Sequence, residues 1–203
     1  MKRLSTFEIW LRRGRIVEEP QLIETKSNPW HDPKNGQFTF APEDRLAANW
    51  RSGGRMSRRE VDLHTANAMR MYNIHVSRGM RPEQAAAWAA NIEAESKGNY
   101  RSSQPGGPGR GLLQWGDGNR EKLFQQQYGH PIEESTEAEQ LNFRDWELTH
   151  TEIRAAKKIA AAKGAGDIAS AITIYYLRPE NKFRDAADRA NIAEAIIRAA
   201  VRR

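Results

Sequence analysis

From about residue 58 onward, apolar positions recur at helical spacing. Val61, Met69, Tyr72 and Val76 form a first run, which Gly79 stops. Pro82 and Glu83 then suit the first turn of a new helix, where proline lacks only an N–H that would be unpaired anyway. Its apolar stripe is Ala85, Trp88, Ala89 and Ile92. Leu123, Phe124 and Tyr128 predict another helix, and "STEAEQLNFRDWELTHTEI" a further one capped by Ser135 or Thr136. "GAGDIASAITIYYLRP" follows, with Asp167 as cap and Pro179 as terminator, and "RDAADRANIAEAIIRAAVRR" closes the chain as an alanine-rich helix. Strand-like alternation is confined to residues 36–41, and no segment repeats. The pattern predicts an all-α fold (α with minor β) over residues 58–203, interrupted by one glycine-rich excursion.

Residues 1–57 break that pattern. "NPWHDPKNGQFTFAPEDR" carries three prolines and the turn pair Asn35-Gly36, and "RSGGR" at 51–55 resembles a hinge. This composition predicts an N-terminal loop-rich arm. Such an arm either packs on the main domain or a partner, or serves as a docking or cargo-tethering segment.

Composition narrows the chemistry. Of 203 residues, 38% are hydrophobic and 29% charged, and no stretch approaches the roughly 20 apolar residues of a membrane span. The opening "MKRLSTFEIWLRRGR" has no apolar core of a secretory signal, so synthesis in a cytoplasm is expected. Without cysteine there is no disulfide or thiolate chemistry, and the five histidines lack ligand spacing. Neither a metal nor another cofactor is expected. The net charge of +6 is uneven: residues 1–80 hold 14 Lys and Arg against 9 acids, leaving 18 against 17 for the rest. A basic balance favours anionic partners, including a weak contact with an anionic envelope. Zinc-finger spacing, aromatic RNA-binding motifs and long basic runs are absent, so nucleic acid is not an expected partner.

The segment "NIEAESKGNYRSSQPGGPGRGLLQW", residues 91–115, puts two carboxylates at a helix end before the glycines. At about 100° per residue, Glu95 falls almost in line with Trp88, whereas Glu93 points away. Glu95 is thus expected to continue the buried stripe and Glu93 to face solvent. Desolvation would favour the protonated form of Glu95, as a general acid requires. The ordinary alternative is a Glu95 that reaches out to water or pairs with Arg101 or Arg120. "PGGPGRG" either brings backbone close to a ligand or is a surface loop. His75 and His150 are expected as surface or satisfied core residues.

The order Glu95-Ser96 after an apolar helix, a glycine-rich loop, then Gly111, Leu112, Gln114 and Trp115 resembles the phage tail lysozyme family. More distantly it is similar to goose-type lysozymes and lytic transglycosylases. "GMRPEQAAAWAANIEAES", "WGDGNREKLF" and "ITIYYLRPEN" look like that family's acid-bearing helix, its continuation and its closing segment. The resemblance implies a lysozyme-like helical domain and peptidoglycan glycan strands as substrate, cut at the β-1,4 bond between N-acetylmuramic acid and N-acetylglucosamine. Glu95 would protonate the glycosidic oxygen, and Gln114 would contact sugar or brace the cleft, with Gly111 in the same segment. Asp117 is the candidate second carboxylate, one residue later than the goose-type position. If it turns away, Glu95 alone would yield a 1,6-anhydro end. One of Tyr175 and Tyr176 would face sugar while the other enters the core, or both are core; Tyr100 is a further cleft candidate. The resemblance also implies delivery by a virion, with phage virion proteins as partners, or release through a pore. A non-catalytic wall-binding module is the remaining alternative.

Overall fold

A computed structural model describes residues 58–116 and 118–201. The arm over 1–57, the turn at 36–41 and Asp117 lie outside the described residues. Among the described residues seven α-helices follow one another: α1 (Arg58–Ser77), α2 (Pro82–Ser96), α3 (Asn119–Tyr128), α4 (Glu137–His150), α5 (Ile153–Ala161), α6 (Gly164–Ala171) and α7 (Lys182–Val201). A 3₁₀ turn, Ile132–Glu134, precedes α4, and a π-helical segment, Ile172–Leu177, prolongs α6. Among the described residues there is no strand, only isolated antiparallel bridges from Arg110 to Ser103 and to Trp115. Over the described residues the fold is all-α, as the pattern predicts, and agrees with the lysozyme-like helical domain that the resemblance implies.

α2 is the axis of this fold. It packs against α1, α6, α7 and the π-helical segment, so every residue from Gln84 to Glu93 is buried. Five of those ten are alanines around Trp88 and Ile92, which lets the surrounding helices approach closely. Truncating Trp88, 2% exposed and edge-on to Tyr176 with ring centroids 5.4 Å apart, would cost about 3–5 kcal/mol.

This environment overturns the expected division between the two glutamates. A helix wrapped on all sides has no solvent face, so Glu93 is fully buried while Glu95, nearer the helix end, stays partly exposed. The stripe on α1 also differs from expectation. Val76 is exposed, and the buried line runs through His64, Ala68, Met71 and His75. His75 belongs there because both ring nitrogens are satisfied. Nδ1 donates to the Met71 carbonyl at 2.6 Å, and Nε2 accepts from Arg144 Nη1 at 2.5 Å. Burial, then the Arg144 charge, holds the His75 pKa well below the ordinary histidine range, keeping it neutral. The Arg144 guanidinium lies 4.6 Å from the Trp88 ring centre, which joins α4 to α2.

Helix ends follow local chemistry. Thr136 caps α4 through a capping box with Glu139. The predicted helix running to Ile153 instead breaks at Thr151 and Glu152, and α5 restarts there. Asp167 is not a cap: α6 begins at Gly164, and Asp167 sits in its first turn. The π-helical segment stops where Arg178 turns left-handed, with φ of 56°, just before Pro179. Arg178 then forks onto both oxygens of Glu152 at 2.8 Å, tying this corner to α5.

Candidate active site

α2 ends at Ser96, and Lys97 takes the left-handed conformation that closes the helix. The last turn therefore delivers Glu93 and Glu95 to the start of the glycine loop in different surroundings. Glu93 is sealed inside: its Oε1 lies 2.5 Å from His64 Nδ1, and its Oε2 is buried without a hydrogen-bond partner. Burial raises the Glu93 pKa from 4.5 to about 8, with Lys97 and Arg70 opposing more weakly. An unpartnered oxygen costs less on a neutral carboxyl than on a carboxylate, so the protonated form suits this pocket. Glu95, by contrast, keeps 17% of its side chain exposed and forms an ion pair with Arg189 of α7, Oε1 to Nη2 at 2.7 Å. Neither Arg101 nor Arg120 is its partner in this pairing.

The glycine loop is a folded structure held from within. Arg110 exchanges backbone hydrogen bonds with Trp115, while its guanidinium donates to the Gly107 and Gly109 carbonyls and to Glu133. Gly111, with φ of 73°, is buried so tightly that a Cβ would meet Gln140 Oε1 at 2.5 Å. Packing against Gln140 and Ile132 thus requires a glycine here. Gln114, also left-handed, donates from Nε2 to the Gly111 carbonyl at 2.8 Å and so braces the loop. Tyr100 is half-buried, with its carbonyl accepting from Gln140 Nε2 and the Arg101 guanidinium 5.4 Å from its ring centre.

The two tyrosines of the π-helical segment separate. Tyr175 is 41% exposed, with Lys158 Nζ 5.6 Å from its ring centre. Tyr176 is fully buried and is the member of the pair that enters the core. Its hydroxyl donates to Glu147 Oε2 at 2.5 Å, and burial, followed by the Glu147 charge, holds its pKa well above the usual phenol range. The same oxygen accepts from Trp115 Nε1 at 3.0 Å and Arg120 Nη2 at 2.8 Å, while Oε1 accepts Arg120 Nε at 2.5 Å. One buried carboxylate thus anchors the end of the loop, α3, α4 and the π-helical segment. Among the described residues, no three His, Asp or Glu side chains gather as a metal site.

The family model of phage tail lysozymes matches residues 66–199, spanning α2, the loop and most of α7. The chain belongs to the phage tail lysozyme family. No curated protein and no solved structure matches it. Membership in the phage tail lysozymes carries a lysozyme-like, peptidoglycan-lytic function of the glycosidase type, with peptidoglycan as the substrate.

Sequence reasoning about this lysozyme family member missed Arg189, Asn91, His64 and Glu147. Asn91 stands four residues before Glu95 and is fully buried, so it lies on the same side of α2. A polar residue inside an alanine helix was a usable signal that something pairs with it. Arg189 in the alanine-rich α7 was another.

Proposed function

We propose that the chain is a muramidase that hydrolyses the β-1,4 bond between N-acetylmuramic acid and N-acetylglucosamine, with Glu95 as proton donor. The observation that supports this reading most is the contrast at the end of α2. Glu93 is sealed in the core, whereas Glu95, in the Glu-Ser pair of the family resemblance, retains access to solvent. Arg189 engages Oε1, which leaves Oε2 as the oxygen for the scissile bond. Asp117, two residues after the buried Trp115, is proposed as the base that activates water. Exposed Tyr175 and half-buried Tyr100 are proposed sugar contacts, and Gln114 supports the glycine loop through the Gly111 carbonyl. Synthesis in a host cytoplasm, with delivery by a virion or release through a pore, is part of the same proposal.

A second reading, lytic transglycosis, draws on the absence of any acid from Ser96 to Gly116. Glu95 would then serve as acid and afterwards as base, while the muramoyl 6-hydroxyl attacks within the substrate. Mass spectrometry of fragments released from purified sacculi separates the two, since anhydro ends are one water lighter than hydrolysed ends. Glu95→Gln should abolish release while leaving the far-ultraviolet circular dichroism unchanged. Undiminished release by that variant would end both readings.

A further inference from the structure

Glu95 does not stand alone on α2. Arg189, with only 8% of its side chain exposed, presents Nη2 to Glu95 Oε1 at 2.7 Å and Nη1 to Asn91 Oδ1 at 3.2 Å. Asn91 is itself fixed. Its Nδ2 donates to the Ala87 carbonyl at 2.9 Å and the Ala169 carbonyl at 3.2 Å, and its Oδ1 also accepts from Thr173 Oγ1 at 2.8 Å. Asn91 and Thr173 are both fully buried. The chain of contacts therefore runs from α6 and the π-helical segment through Asn91 to Arg189 on α7, and from there to the carboxylate.

We propose that Arg189, oriented by Asn91, is a positioning residue that fixes the direction of the Glu95 carboxyl group for proton transfer; this rests on Glu95 being the proton donor. Three features carry it. A guanidinium is planar, so fixing one nitrogen on Asn91 fixes where the other points. Asn91 is satisfied at both ends by main chain and Thr173, so its amide has one orientation. Glu95 sits at the last turn of α2, where the backbone alone leaves its three side-chain torsions free. The π-helical segment contributes by presenting Thr173 to Asn91 and Tyr176 to Glu147 from a single stretch of six residues.

The test measures kcat and KM on solubilised glycan strands for wild type, Glu95→Gln, Arg189→Gln and Arg189→Lys. Lysine keeps the charge but cannot hold Asn91 and Glu95 together. Arg189→Gln should lose about 100-fold in kcat, the scale of an ångström-sized misplacement, with KM within about twofold of wild type. Arg189→Lys should recover part of that loss. Wild-type kcat in Arg189→Gln, or a loss carried by KM, overturns the proposal. If Arg189→Gln does not fold, Arg189→Lys decides: a folded enzyme with wild-type kcat overturns it. The broader reading fails separately, through full activity of Glu95→Gln, and the positioning role falls with it.

Discussion

His64 Nδ1 and Glu93 Oε1 lie 2.5 Å apart, with Glu93 fully buried and His64 nearly so. Burial raises the Glu93 pKa to about 8, so below that pH the uncharged carboxyl is the favoured form beside the histidine. A carboxyl raised in the folded state binds its proton more tightly there than in the unfolded chain. Its stabilisation is complete below the ordinary value of 4.5 and is lost as pH rises toward about 8. Over that window wild type should lose stability by up to roughly 1.4 kcal/mol per pH unit relative to Glu93→Gln, which cannot ionise. Melting temperatures of both proteins at several pH values check this. Parallel curves would show that Glu93 does not titrate in the window.

The Glu147 carboxylate is the next target. Glu147→Gln removes the Glu147 charge from beside the Arg120 guanidinium, 11% exposed, and should cost about 3–5 kcal/mol. Tyr176→Phe keeps the ring against Trp88 but removes one donor to the carboxylate, for a loss of about 1.5 kcal/mol. Urea denaturation should rank the two in that order. The reverse ranking would mean that Arg120 finds another partner.

These two carboxylates mark how far the sequence was legible. Spacing located the helix that ends in Glu93 and Glu95, the loop and a cap at Ser135 or Thr136, because those rest on local chemistry. The orientation of Glu93 was not local. A two-faced helix was assumed from Trp88 and Ile92, but alanines at 85–87, 89 and 90 admit neighbours on every side, so no face was left for solvent. On α1 the counting of apolar residues selected Val76, since it had no way to know that Arg144 satisfies His75 in the core. Both misreadings involve polar groups that are buried because a partner distant in sequence meets them.

Tyr175 and Tyr176 are adjacent in sequence and should separate experimentally. Tyr175→Ala removes an exposed ring that proposed sugar contact uses, so KM on glycan strands should rise about fivefold, the scale of about 1 kcal/mol, with little change in melting temperature. Tyr176→Phe should lower the melting temperature instead and leave KM near wild type. An unchanged KM in Tyr175→Ala would remove that residue from the binding surface.

Gly111→Ala tests whether the loop's glycines serve packing or mere flexibility. The left-handed φ of 73° alone costs an alanine about 1 kcal/mol. The new Cβ would also meet Gln140 Oε1 at 2.5 Å and Ile132 Cγ2 at 3.0 Å. Gln140 has little room to yield, because Oε1 accepts from the Leu112 N–H at 2.8 Å while Nε2 donates to the Tyr100 carbonyl at 2.8 Å and to Ser135 Oγ at 2.9 Å. Displacing it breaks buried hydrogen bonds, adding about 1–3 kcal/mol. Gly106 is the control: its φ is 70°, but nothing lies within 4 Å of an added Cβ. Gly106→Ala should therefore show the conformational cost alone, and Gly111→Ala a loss about two to four times larger by urea denaturation. Equal losses at both positions would mean that Gln140 swings aside freely and that the loop is not pinned to α4 through Gly111.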